Sequence, residues 1–250
     1  MSGHSKWSSI KHKKAATDAK RGQLFTKLAR EITMAARNGD ASPDMNPSLR
    51  LAIQKAKQAN MPNDNIDRAM KRAQGGGDAD ALQEVTYEGY GPGGTAVIVE
   101  VVTDNRNRTV ADLRMAFSRN GGSLAENGAV AWQFETRGLV TVDTTQADSD
   151  DVQLAAIEAG ALDVEVSEGL VEVITEPGDL HSVREALEGA GFALDNAEVA
   201  RVAQNKVHLE EKHAVAALRL FDLLEDLDDV SRVYSNAEFD DEVLEAVAGS

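Results

Sequence analysis

The sequence contains no cysteine, which excludes disulfides, thiolate zinc sites, iron–sulfur clusters and thiol nucleophiles together. The absence of cysteine is typical of proteins of a reducing cytosol, and we predict a cytoplasmic protein. Aromatic residues make up 4% of the chain, so the core has to be built from Ala, Val, Leu and Ile. No run of 18 apolar residues is present, and no membrane-spanning helix is predicted.

Positive charge is scarce overall but concentrated at one end. The chain of 250 residues carries a net charge of −16. Residues 1–72 contain 15 Lys or Arg and 6 Asp or Glu, for +9, whereas residues 73–250 carry −25. Such asymmetry indicates a segment that binds a polyanion. Two alternatives are an ordinary solvated basic surface and a basic part that docks onto the acidic part of the same chain.

Three amphipathic helices are predicted in the basic part, over about 17–37, 47–59 and 63–74. In the first, apolar residues share one arc at helical spacing and cations occupy the neighbouring arc. In the third, Arg68, Lys71 and Arg72 lie opposite the apolar residues. The glycines at 75–77 then end the helical domain, which we place at 1–80.

The remaining chain changes from helical to alternating periodicity. Between 137 and 204 the predicted order is β-α-β-β-α-β, the ferredoxin-like order. A further helix and strand after 205 would complete an α+β domain begun at 81–136. The predicted fold class is therefore α+β, with an N-terminal three-helix domain followed by two ferredoxin-like domains, the second (137–204) inserted into the first (81–136 and 205–240). Residues 129–135 are predicted as a strand, and the tail from Asp240 as frayed.

The sequence has no motif for catalysis, metal binding or a cofactor in the structural context that such a motif requires. We therefore predict a non-enzymatic protein without a cofactor or a metal. Gly89, Gly91 and Gly94 match the spacing of a dinucleotide-binding loop. That mechanism needs a helix N-terminus after the loop. Here the apolar run 96–102 follows, which indicates a strand, so the glycines are interpreted as a hairpin loop.

We predict that the basic N-terminal part binds nucleic acid, because Lys and Arg on one surface displace counterions from phosphates. Trp7 lies between Lys6 and Lys11, and it either stacks on an exposed base or anchors the arm to the helices. The predicted phosphate contacts of the arm and first helix, including one histidine, are Lys6, Lys11, His12, Lys13, Lys14, Lys20, Arg21, Lys27 and Arg30.

A second predicted anion site is the polar segment 103–109, which contains Arg106 and Arg108. It enters a helix whose N-terminus adds positive potential. Thr109 and Asp112 have the spacing of a capping box for that helix. The alternative is a capping loop with two solvated arginines.

Several long motifs resemble the YebC family. They are GHSKWSSIKHKKAATDAKRGQLFTKLAREI at 3–32, NPSLRLAIQKAKQANMPNDNIDRAMKRA at 46–73, YEGYGPGG at 87–94 and TDNRNRT at 103–109. The resemblance implies a helical first domain, two α+β domains and a regulator of gene expression that binds DNA. It implies a role at the ribosome as the alternative, because mitochondrial relatives resemble translational activators.

The predicted function is thus a DNA-binding transcriptional regulator, with transcription machinery as a further partner. The first alternative is a translation factor that binds ribosomal RNA or the ribosome. A second alternative is a ligand-sensing module, since ferredoxin-like domains can bind small molecules.

Overall fold

A computed structural model describes residues 7, 18–75, 82–145, 147–167 and 169–248, without the side chains at 18–20, 241, 245 and 248. Its helices are α1 Asp18–Asn38, α2 Pro47–Gln58, α3 Asn63–Gln74, α4 Arg106–Arg119, α5 Ser149–Glu158, α6 Leu180–Gly189, α7 Glu211–Glu225 and α8 Asp241–Ala248. Its strands are β1 Gln83–Tyr90, β2 Ala96–Thr103, β3 Ser123–Leu124, β4 Phe134–Asp143, β5 Asp163–Ser167, β6 Leu170–Thr175, β7 Leu194–Ala203, β8 Val207–His208, β9 Val230–Ser235 and β10 Ala237–Glu238.

The predicted fold class is confirmed: a helical N-terminal region precedes α+β sheet regions. One sheet has the strand order β3-β1-β2-β9, and another has the order β5-β6-β4-β7. The first sheet receives strands from both 83–124 and 230–235, whereas every strand of the second lies between 134 and 203. Within the described ranges, no helix is long and apolar enough to cross a membrane.

Two compact units can be distinguished among these residues. One comprises 18–131 and 211–233, so that the three N-terminal helices share a unit with most of the first sheet. The other comprises residue 7, 132–210 and 234–248 and contains the second sheet.

The helical region forms because its apolar faces converge. Leu28, Ile32, Leu49 and Ile66 are almost fully buried in one cluster. Asn46 begins α2 by accepting a hydrogen bond from the backbone N–H of Leu49 at 3.0 Å, which satisfies one of the donors that a helix start leaves unpaired. Its Nδ2 also donates to the carbonyls of Ala35 and Asp40, so one side chain joins α1, the loop and α2.

The glycine-rich segment after β1 is the predicted hairpin loop. β1 and β2 pair in antiparallel fashion up to Tyr90 opposite Ala96. Gly93 and Gly94 have φ values of 71° and 78°, a conformation that costs glycine little and other residues more. A strand follows the loop, which excludes the dinucleotide-binding arrangement.

The second sheet has the ferredoxin-like order predicted from the sequence. Central β4 pairs with β6 and β7 in antiparallel fashion. Val140, Val142, Val171 and Val173 of β4 and β6 are fully buried with apolar residues of α5 and α6. The alternating periodicity of this segment therefore predicted the strands.

Three local predictions were wrong. Residues 131–133, predicted as part of a strand, form a 3-10 turn, and Trp132 is 68% exposed. The N–H groups of Val130 and Ala131 donate to Glu88 Oε2 at 2.7 and 2.8 Å, so they do not pair with a neighbouring strand. Asn105, not Thr109, caps α4 by accepting from the N–H of Arg108. The C-terminal segment forms α8, with Leu244 buried.

Candidate nucleic-acid interface

The predicted contacts of the N-terminal arm fall mostly outside the described residues. These are Lys6, Lys11, His12, Lys13 and Lys14. Lys20 lies in the first turns of α1, and its side chain is outside the described part. Arg21 is exposed on α1. The arm therefore stays a prediction.

Trp7 is described, and it is 4% exposed. Base stacking needs an accessible aromatic face, which a side chain buried to this degree does not offer. Its burial is that of a hydrophobic anchor, but Trp7 belongs to the compact unit of the second sheet. An anchor on the three helices therefore stays a prediction.

Two predicted phosphate contacts, Arg30 and Arg108, meet at a single carboxylate. Asp229 lies in the turn between α7 and β9 and is 7% exposed. Arg30 Nη1 lies 3.1 Å from Asp229 Oδ1, and Arg108 Nη2 lies 3.0 and 2.9 Å from the two carboxylate oxygens. We name this set, together with Thr103 and Thr109, the Asp229 cluster.

The two threonine hydroxyls complete the cluster. Thr103 Oγ1 and Thr109 Oγ1 donate to Asp229 Oδ2 at 3.1 and 2.8 Å. Burial by itself raises the pKa of Asp229, but the hydrogen bonds from Arg108, Thr109 and Thr103 outweigh it and hold that pKa below its ordinary value. The carboxylate is therefore an ion at neutral pH, and it pairs with both arginines inside the protein.

Two further cations of α1, Lys27 and Arg37, also bind later segments of the chain. Lys27 Nζ donates to the carbonyl of Glu225, the last residue of α7. Arg30 Nη1 also donates to the carbonyl of Asp228 at 2.6 Å, and Arg37 Nη2 donates to the carbonyl of Leu82 at 2.7 Å. For these residues the geometry matches the alternative in which basic residues dock onto the chain's own later segments.

A different set of cations faces solvent. Lys57 of α2 and Arg68, Lys71 and Arg72 of α3 are exposed. Within the described residues, none of these four side chains has a hydrogen-bond or ion-pair partner. Helical periodicity predicts the outward position of Arg68, Lys71 and Arg72, but the predicted contacts do not include any of the four. We name this set the α2–α3 cation face.

Arg106 is the first residue of α4 and is exposed. Its neighbour Arg108 also pairs with Asp104 at 2.9 Å. The predicted anion site at 103–109 is therefore divided, because Arg108 is used inside the protein and Arg106 is accessible.

The fold defines a class of protein with a helical N-terminal region and two α+β regions, one inserted into the other. The chain belongs to the TACO1/YebC family. The model of the TACO1/YebC protein N-terminal domain matches residues 5–76, and the model of the TACO1/YebC second and third domain matches residues 82–237.

Related proteins cover nearly the whole chain. A probable transcriptional regulatory protein of Dehalococcoides mccartyi is 54% identical over 245 residues, with 98% of each chain covered. One of Desulfosudis oleivorans is 52% identical over 246 residues, which is 98% of this chain and all of that one. The crystal structure of a conserved hypothetical protein from Aquifex aeolicus has a TM-score of 0.86 and 43% identity, and covers 94% of this chain and 97% of that one.

Proposed function

We propose that this chain is a non-enzymatic regulator of gene expression that binds DNA through its N-terminal helical region. The names of its relatives support a role in regulation. The observation that carries the binding proposal is the α2–α3 cation face: four exposed cations without intramolecular partners among the described residues, in a chain whose net charge is −16.

Cations without an intramolecular partner bind phosphate at a lower cost than cations that are already paired. A guanidinium already paired with a carboxylate has to break that pair before it binds phosphate, whereas an exposed, solvated cation only releases counterions from the nucleic acid. The α2–α3 cation face is therefore better suited to contact phosphate than Arg30, Lys27 or Arg108. Lys6, Lys11, Lys13 and Lys14 of the arm add to it in this proposal.

In this proposal, the acidic residues 73–250 determine which side of the protein faces the nucleic acid. Residues 73–250 carry −25, and like charge repels phosphate over about a Debye length, roughly 8–10 Å at physiological salt. The α+β regions would thus face away from the nucleic acid and present surfaces to protein partners.

The test is a salt titration of binding to duplex DNA. In one variant, Lys57, Arg68, Lys71 and Arg72 are replaced by Gln. Because each lost phosphate contact reduces the slope of log K against log salt by about 0.9, the slope should become shallower by about 3–4. The affinity should fall at every DNA sequence tested.

The charge-matched control makes the same replacement by Gln at four exposed cations of the α+β part: Arg114, Arg119, Lys212 and Arg219. It should leave the slope unchanged. An equal loss in both variants would show that only net charge matters and would overturn the proposed interface. Crosslinking in cells that maps to ribosomal RNA instead of promoter DNA would overturn DNA as the partner.

A further inference from the structure

An open groove lies beside the α2–α3 cation face, between α2 and α3. It has a volume of about 570 Å³, within the range of sites that bind small organic molecules. Its floor is apolar and is made by Ile53, Ile66 and Met70. Ile66 is buried, whereas Ile53 and Met70 are half-buried and offer their outer faces to the groove.

The rim of the groove is polar and cationic. Arg50 and Lys57 line it from α2, and Asn63 and Asp67 line it from α3. Between 47 and 74 the chain has six Lys or Arg and two Asp, so this region is strongly positive in an acidic protein. Arg50 is anchored by bonds to the carbonyls of Pro43 and Asp44, whereas Lys57 has no partner among the described residues.

We infer that this groove binds an unpaired nucleotide of a single-stranded nucleic acid. The apolar floor receives the face of the base, and Lys57 with the neighbouring cations of α3 receives the flanking phosphates. The inference rests on the proposed binding of nucleic acid by the N-terminal region and adds to it the state of the nucleic acid that is preferred.

The polar groups select this occupant. The Asn63 amide carries both a donor and an acceptor, as the edge of a base does. The Asp67 carboxylate can accept a hydrogen bond from a base amino group. A paired base has its edge and faces occupied within the duplex, and so cannot enter the groove without unstacking.

The experiment measures fluorescence anisotropy of the full chain with three labelled probes: a short single-stranded DNA, the RNA of the same sequence, and the DNA annealed to its complement. The wild type should bind both single-stranded probes more tightly than the duplex. A difference between the DNA and RNA probes identifies which sugar the site accepts.

Met70→Glu places a charge on the groove floor, and its matched control is Met45→Glu. Met45 is 73% exposed in the loop before α2 and does not line the groove. Met70→Glu should weaken single-strand binding about fivefold or more beyond the control, since the loss of one base contact costs roughly that factor at least. Its effect on duplex binding should equal that of Met45→Glu.

A second measurement does not depend on the folding of a variant. Photocrosslinking of the wild type to a single strand containing a halogenated uracil should place the base on residues of α2 or α3, read by mass spectrometry. Equal binding of single strand and duplex, equal effects of the two Met→Glu changes, or crosslinks confined to other elements would overturn the inference. If the duplex titration still depends on the α2–α3 cation face, the proposed function stands while this inference fails; if no probe binds, the proposed function fails.

Discussion

Asp229→Asn should destabilise the protein strongly although it hardly changes the size of the side chain. The substitution keeps the shape of the side chain but removes the charge that holds Arg30 and Arg108, and it turns an amide N–H₂ towards donors. Breaking a buried ion pair costs about 3–5 kcal/mol, whereas an exposed pair contributes about 0–1 kcal/mol. The Asp229 side chain is 8% exposed, Arg30 is 20% exposed and Arg108 is 47% exposed. The cluster lies between these limits, so we expect a loss of about 2–4 kcal/mol in the free energy of unfolding.

The assay is thermal unfolding by circular dichroism or calorimetry. For a chain of this size, 1 kcal/mol corresponds to about 2–4 °C, so Tm should fall by roughly 4–16 °C. Asp228→Asn is the matched control. Asp228 is exposed, and it binds Arg30 through its backbone carbonyl, which the substitution does not alter. Its Tm should stay within a degree or two of the wild type, as for most surface changes.

The pH dependence supplies an independent check. Because the folded-state pKa of Asp229 lies below its ordinary value, the stabilisation is complete above the unfolded pKa, about 4, and is lost as pH falls towards the folded pKa. The difference in Tm between wild type and Asp229→Asn should therefore be constant near neutrality and shrink below about pH 4. Equal Tm values for the two proteins at pH 7, or an equal loss in Asp228→Asn, would refute this reasoning.

Two further predictions concern a buried carboxylate and the basic arm. Glu88 is 2% exposed and accepts from the N–H groups of Gly128, Val130 and Ala131, so Glu88→Gln should cost about 1–3 kcal/mol. Amide exchange at those three positions should then accelerate, and unchanged exchange would contradict the role of Glu88 in holding the loop. Charge reversal of the arm should weaken DNA binding and flatten its salt dependence, and unchanged binding in the same titration would remove the arm from the interface. The residues changed to Glu in that variant are Lys11, Lys13 and Lys14.

Local signals in the sequence predicted most elements because each depends on near neighbours. The helix predicted from residue 47 begins at Pro47 in the structure, since proline suits the first position of a helix. Alternation between 137 and 204 predicted the strands of the second sheet, among them β6 at Leu170–Thr175. These patterns record which face of an element is buried, and that information lies within a few residues of chain.

Predictions failed where a distant side chain supplied the hydrogen bonds. The segment around Trp132 alternates as a strand does, but Glu88, some 40 positions earlier, accepts its N–H groups. Thr109 has the spacing of a helix cap, yet its hydroxyl binds Asp229, 120 positions later. No local pattern encodes such a partner.

The sequence by itself determined the α+β class, the order of the elements, the insertion of one sheet region into another and the placement of positive charge in the first third of the chain. Only the tertiary structure decided which of those charges are available to a partner. Helical spacing gives the side of a helix on which a cation lies, but it does not reveal whether another part of the chain covers that side. Folding brings the turn at Asp229 against α1 and α4, so Arg30 and Arg108 are neutralised, whereas Arg68, Lys71 and Arg72 of α3 stay exposed to solvent.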